Sequence, residues 1–367
     1  MKLARINIAL KKIDWPLYAT VCLLGILGLI LIYSVALGSQ VEQNYLNFKK
    51  QIVFFILSAV IVFLIAIFLD YRALVKYNTP LYILGIILLL AVLFFGKTIR
   101  GTTGWFDLGV FSFQPIEFVK IFLMVFISKF FSDKAKYINQ FKYLVLSGLG
   151  VILVMMLVIL QPDFGSALVL LIVWLVLILL TGIKKSHLFF LGSIFIIICL
   201  ISWFFVLAPY QKERIKVFLD PSLDPLGSGY NVTQAIIAIG SGNIFGKGLT
   251  SGSQSQLRFL PESQTDFIFA VLAEELGLIG VLLLLGLWAI IFWRLINIAK
   301  KVYDNFALYL IISIGTLFFT QLIINIGGNL GLLPITGITL PFVSYGGSSL
   351  LACMIMVGLI ESINVRN

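Results

Sequence analysis

Apolar positions along this chain of 367 residues run in long unbroken blocks, with the polar positions gathered between them. The period-two alternation of half-buried strands is absent from these blocks. Ten blocks are close to 20 residues long, at 16–36, 50–69, 79–95, 115–131, 143–160, 165–182, 187–208, 267–293, 306–327 and 344–362. As helices they are long enough to cross a hydrocarbon layer about 30 Å thick, the block at 79–95 being the shortest. The expected fold is an all-α integral membrane protein with about ten transmembrane helices, forming a single polytopic domain over 1–367.

The polar segments fix an orientation. Lys and Arg gather at alternate block ends, including Lys11, Lys12, Arg72, Lys76, Lys129, Lys134, Lys184, Lys185, Arg294, Lys300 and Lys301, and these ends carry sixteen basic residues against five acids. Such ends face the cytoplasm. An even number of crossings then puts both termini inside and leaves three long segments outside, at 37–49, 96–114 and 209–265. Loops much longer than about 15 residues are usually functional or disordered, so the chemistry is expected on the outer face, above all in the large loop 209–265 between the seventh and eighth helices.

Composition agrees with this reading and narrows it. Hydrophobic residues make up 60% of the chain and charged residues 11%, far from the roughly 25% charged residues of soluble domains. The net charge of +10 follows from the inner loops, which removes nucleic acid from the list of partners. Cys22, Cys199 and Cys353 lie apart in apolar blocks, with no disulfide or metal-binding spacing. The basic N-terminus followed by an apolar run and Ser34-Val35-Ala36 resembles a secretion signal, but the run is too long, and an uncleaved first helix is expected. The glycine-rich GSGNIFGKGLTSG at 240–252 lacks the Gly and Ser/Thr positions of a phosphate loop and reads as a flexible outer turn. Val232, Ala235, Ile236 and Ile239 share a helical face, which fits a short helix lying in the headgroup layer or one packed on the bundle.

The one histidine, His187, lies beside Lys184 and Lys185 on the inner side, so acid–base chemistry outside must fall to carboxylates. Glu117 and Lys120 are three residues apart, a spacing that allows an ion pair within the membrane. That pair either fixes helix packing or leaves Lys120 as an anion ligand. Asp266 stands where the eighth block begins, a position that the helix dipole alone would favour. Glu274 lies about 12 Å deeper and some 80° round the helix, while Glu275 points nearly opposite to Asp266. Acids inside a membrane cost at least about 2.5 kcal/mol, so this group reads as a descending polar cleft.

The stretches LPESQTDFIFAVLAEELG (260–277), DPLGSGYNVTQAIIAIGSGNIFGKGL (224–249) and GLLPITGITLPFVSYGGSS (331–349) resemble the SEDS family (shape, elongation, division and sporulation), most closely its RodA branch. GWFDLGVFSFQPIEFVK (104–120) and QPDFGSA (161–167) extend the likeness over most of the chain. Two positions depart from the family habit: Ile116, where Ser is usual, and Gly104, where a basic residue is frequent. The resemblance implies a ten-helix peptidoglycan glycosyltransferase of the bacterial cytoplasmic membrane. It would polymerise lipid II on the outer face during cell elongation, together with a class B penicillin-binding transpeptidase and other elongation machinery. It also implies that Asp266 is essential, which fits a general base acting on a sugar hydroxyl. The leaving pyrophosphate needs cations, for which Lys120, Arg214, Lys247 and Arg258 are candidates, or a divalent ion such as Mg or Mn. Trp105 is a candidate for stacking on a sugar or for anchoring at the interface; Asp163 joins the substrate-binding set, and Glu117, Glu274 and Glu275 the supporting one. A non-enzymatic scaffold for the transpeptidase and a lipid II flippase are the rival readings.

Overall fold

The computed structural model describes residues 10–39, 42–99, 101–107, 109, 111–138, 140–201, 204, 212, 216–218, 220, 223, 224, 227–257 and 259–367. Ten long helices overlap the ten apolar blocks: α1 (Trp15–Ser39), α2 (Glu42–Phe68), α3 (Tyr71–Phe95), α4 (Pro115–Lys134), α5 (Phe141–Ile159), α6 (Phe164–Leu180), α7 (Lys185–Ile201), then, after two shorter ones, α10 (Ile268–Lys301), α11 (Asn305–Asn329) and α12 (Gly347–Arg366). The shorter helices α8 (Ser228–Ser241) and α9 (Ser253–Gln256) precede α10. Among the described residues, seven helices are long and apolar enough to cross a membrane: α1, α2, α3, α5, α10, α11 and α12. Helix α6 is apolar but shorter.

The fold is not purely helical. Three short strands, β1 (Lys97–Ile99), β2 (Thr102–Asp107) and β3 (Ser112–Phe113), form an antiparallel sheet in the order β1-β2-β3. Lys97 pairs with Trp105, and Phe106 with Phe113. The sheet is a small addition to a mostly helical membrane fold; Gly101 and Gly109 adopt φ of +81° and +80°, the left-handed backbone that tight turns need.

Helix α3 starts at Tyr71, eight residues before the apolar block, because the Asp70 side chain accepts the Arg72 N–H at 3.0 Å and caps it. Pro80 sits inside this helix without ending it, as membrane helices tolerate. Helix α10 runs to Lys301 but is broken at Gly277, whose φ of 64° and ψ of −159° are not helical.

The turn 243–248 splints that break. Lys247 N and Gly248 N donate to the Glu274 and Glu275 carbonyls at 3.0 Å each, while Leu278 N and Ile279 N donate to the Asn243 and Ile244 carbonyls at 2.9 and 3.2 Å. A Cβ on Gly246 would come within 2.1 Å of the Glu275 carbonyl, and one on Gly277 within 2.3 Å of Gly246 N, so glycine is required at both positions. The glycine-rich segment expected to be a flexible turn is therefore a backbone-bonded brace.

Helices α10, α11 and α12 share one buried core with α1, while α2 and α3 turn large apolar side chains such as Ile56, Phe68, Phe94 and Phe95 outward. Lipid tails are as apolar as these side chains, so such a surface is at rest in a bilayer. Helix α8 buries Val232, Ala235 and Ala238 and exposes Ile236 and Ile237. It packs on α10 and α11, which selects the bundle-packed reading of that helix. At the far end from Asp266, Arg294 donates through Nε to both Asp14 carboxylate oxygens at 2.8 and 2.9 Å, and Asp14 N donates to Glu361 at 3.0 Å. This knot joins the starts and ends of α1, α10 and α12.

Candidate active site

Asp266 is the penultimate residue of a run of turns, 261–267, that leads into α10, and it is held by its main chain. Its carbonyl accepts the Asn325 Nδ2–H at 3.1 Å and the Asn329 Nδ2–H at 2.9 Å. Just before it, the Thr265 carbonyl accepts the Ser344 hydroxyl at 2.7 Å and the Gln264 carbonyl accepts the Tyr345 N–H at 2.8 Å. Ser344 and Tyr345 belong to the non-helical run 334–346 ahead of α12. Gln51 of α2 closes this run by accepting Gly346 N–H at 3.2 Å. Asn325 and Asn329 lie one helical turn apart on α11, so both reach the same carbonyl.

The Asp266 side chain is half-buried. It lines a cavity of about 10 Å³ with Asn325, Asn329, Thr336 and Gly337, a volume that admits one water-sized group. Gly337, at φ +76°, is where this run passes the carboxylate; a Cβ there would be 3.9 Å from Oδ2. Gly165 of α6 lets the run approach, since a Cβ on it would stand 3.0 Å from the Thr336 carbonyl.

The other candidate residues lie elsewhere. Glu274 does not line a cleft below Asp266: it is fully buried, accepting from Lys247 Nζ at 2.9 Å, Gln254 N at 2.8 Å and Ser255 N at 3.0 Å. Lys247 is thereby committed to Glu274 and to the Ser253 hydroxyl at 2.8 Å rather than presented to a substrate. Glu275 points the other way and accepts from the Ser34 hydroxyl of α1 at 2.5 Å and Gln256 Nε2 at 3.3 Å. The expected descending cleft is thus two separate anchors. Each holds the segment 247–256 to α10, Glu274 through Lys247 Nζ and the Gln254 and Ser255 N–H groups and Glu275 through Gln256 Nε2, while Ser34 ties Glu275 to α1 as well.

Lys120 and Glu117 form the expected ion pair at 2.8 Å, with 2% and 8% of their side chains exposed. In this state Lys120 is closed to an anion. Asp163, expected to bind substrate, caps α6 by accepting the Ser166 N–H at 2.9 Å. Trp105 sits half-buried in β2, away from the cavity lining. The same sheet carries an exposed Lys97–Asp107 pair at 2.9 Å, whose hydrogen bond, with one from Gly109 N, holds the Asp107 carboxyl below its usual pKa. Arg214 and Arg258 lie outside the described residues. Among the described residues no group of three or more His, Cys, Asp or Glu is placed to hold a metal ion.

Residues 14–367 match the family described as "Cell cycle protein" and labelled by FtsW, RodA and SpoVE. The chain belongs to the FtsW/RodA/SpoVE family. Among curated members of this family, it is 37% identical to "Stage V sporulation protein E" of Bacillus subtilis over 360 residues, 96% of each chain. It is 40% identical to "Peptidoglycan glycosyltransferase MrdB" of Escherichia coli over 292 residues, 78% of this chain and 77% of that one. Among solved structures, one described as "Structural coordination of polymerization and crosslinking by a peptidoglycan synthase complex" superposes with a TM-score of 0.80 at 32% identity, covering 96% and 97% of the two chains. The Rod shape determining protein RodA of Thermus thermophilus superposes with a TM-score of 0.71 at 30% identity over 96% of each chain.

Within this FtsW/RodA/SpoVE protein the residues that sequence reasoning missed are Asn325, Asn329 and Thr336. Two carried a readable signal: Gln321, Asn325 and Asn329 repeat every fourth residue along one face of an otherwise apolar helix, and polar side chains in a membrane helix mark partners or sites. Thr336 carried none, because its position depends on a loop folding back over α6.

Proposed function

We propose that this chain is a peptidoglycan glycosyltransferase, joining lipid-linked disaccharides with Asp266 as general base. The supporting observation is the clamp on Asp266, whose main chain is bonded to two asparagines while its carboxylate-bearing side chain lines a cavity. In the reaction a sugar hydroxyl of one substrate attacks the anomeric carbon of the other. The C–O bond to the lipid pyrophosphate breaks, and the hydroxyl proton passes to the Asp266 carboxylate. The names of the curated relatives support this reaction class.

The reading extends to topology and partners. All ten long helices cross the membrane, both termini are cytoplasmic, and the segment 209–265 faces outward. The partner is a class B penicillin-binding transpeptidase, for which the neighbouring synthase complex of polymerisation and crosslinking is the support. Labelling of single cysteines in intact cells checks the topology: a probe at Ser253 should react and one at Lys184 should not, and the reverse pattern would overturn it.

A divalent cation is expected with the leaving pyrophosphate. Mg²⁺ usually takes one or two carboxylates together with substrate phosphates. The cavity at Asp266 offers a single carboxylate beside neutral oxygens, so the donor set does not fit an ion held by the protein alone, and no step is assigned to one. For the pyrophosphate, Arg214 and Arg258 remain the proposed cations, with Lys120 and Lys247 already paired.

A flippase would use the break in α10 as a midplane site, as transporters use unwound helices. Here the freed backbone groups at the break are bonded to the turn 243–248, which favours the polymerase. The test is glycan synthesis from labelled lipid II by the purified protein with its partner. Asp266→Asn should fold and bind the partner while the rate falls about 10²- to 10⁴-fold, and Glu262→Gln should stay active. Near wild-type synthesis by Asp266→Asn would end the proposal.

A further inference from the structure

Asn325 is 4% exposed, and two acceptors set the orientation of its amide: Nδ2 donates to the Asp266 carbonyl at 3.1 Å and to the Ile338 carbonyl at 2.8 Å. Turning the amide over would press Oδ1 against both carbonyl oxygens. Oδ1 therefore faces away from them, and among the described residues it has no partner. The Thr336 hydroxyl is also buried without a partner, and both residues line the cavity that Asp266 lines. Leaving a buried polar group unsatisfied costs about 1–3 kcal/mol, so two such groups in one cavity call for a ligand.

The chemistry of the two groups selects that ligand. Oδ1 only accepts, so the ligand must donate to it; the Thr336 hydroxyl is free to donate in return. A volume of about 10 Å³ admits one group of the size of water. A sugar hydroxyl meets all three conditions. It has one proton, and once that proton is given to Asn325 it is not available to Asp266. The seated hydroxyl is then not the one that attacks.

We propose that Asn325 and Thr336 form a seat for the acceptor-sugar hydroxyl adjacent to the attacking one, which leaves the attacking hydroxyl at the Asp266 carboxylate. The inference rests on the glycosyltransferase reading above and deepens it. It makes Thr336 a specificity-determining residue, and Asn325 both that and, with Asn329, a residue that positions the Asp266 main chain.

The test compares two acceptors, the natural lipid-linked disaccharide and an analogue in which hydrogen replaces the hydroxyl next to the attacking one. A site built to bond a hydroxyl rejects the analogue lacking it strongly, so the wild-type protein should lose on the order of 10²-fold or more in kcat/KM. Thr336→Val should lose about 3- to 10-fold on the natural acceptor, the worth of one neutral hydrogen bond. It should also discriminate less between the two acceptors, and Thr336→Ser should restore both. Equal use of the acceptors by the wild-type protein would overturn the seat and mean that water fills the cavity. Unchanged discrimination in a folded Thr336→Val would overturn it as well; if that variant does not fold, the wild-type comparison alone decides. Should the wild-type protein make no glycan, the glycosyltransferase reading fails separately. Binding of the two acceptors to Asp266→Asn then reads the seat without turnover, and equal affinities overturn it.

Discussion

Replacing Gly277 with Ala puts the brace of α10 to the test. The native φ of 64° and ψ of −159° lie in a region open to glycine and strained for other residues by about 1–3 kcal/mol. The new Cβ would also stand 2.3 Å from Gly246 N and 2.6 Å from the Ile244 carbonyl. Both are backbone atoms, so the turn 243–248 must move. Four backbone hydrogen bonds join that turn to 274–279. Losing two of them at about 1 kcal/mol each, added to the backbone strain, gives a loss of about 3 kcal/mol or more. Unfolding of the purified protein in mixed micelles by sodium dodecyl sulfate titration reads this quantity. Gly286→Ala is the control on the same helix: nothing lies within 4 Å of its added Cβ, and Ala is the better helix former by about 1 kcal/mol. It should be neutral or stabilising. A Gly277→Ala protein within 1 kcal/mol of the wild type, with the control behaving as stated, would refute the account of the break as a glycine-dependent splice.

Other consequences are equally direct. Neutralising either Glu117 or Lys120 leaves a buried charge and should cost about 3–5 kcal/mol, whereas replacing both with apolar residues should recover much of the loss in the same titration. A double variant that is stable yet inactive would assign Lys120 to the reaction. Glu274→Ala strands the Gln254 and Ser255 N–H groups and should destabilise more than Lys247→Met, which leaves those bonds to Glu274 in place. If Lys247 were a pyrophosphate ligand instead, Lys247→Met would raise KM and leave stability untouched.

The long helices were readable because lipid demands continuous apolar blocks, and the blocks are intact. Their ends were less so. Tyr71–Asn78 is helical although Arg72 and Lys76 interrupt the apolar pattern there, since a membrane helix extends into the polar layer where those side chains are solvated. The sheet at 97–113 escaped notice because its strands are only two to six residues long, too short for alternation to register. At the site, the pairing of Glu117 with Lys120 is a local matter of helical spacing and was legible. The fate of Glu274 and Glu275 was not. Their partners, Lys247 and Gln254 for one and Ser34 for the other, are set by how a loop closes over the bundle, and no spacing within 260–277 encodes that. Asp163 shows the same limit: the helix cap it forms on α6 is a contact that the motif alone did not disclose.

The clamp on Asp266 bonds to carbonyl oxygens, and its own carboxylate has no share in it. These bonds therefore do not depend on which side chain position 266 carries. Glutamate, cysteine or a chemically installed sulfonate placed there would titrate acidity and reach against rate with the same main-chain bonds in place. The frame itself counts residues: inserting or deleting a single one between Gln264 and Phe267 would put every clamp bond out of step, whatever the side chains.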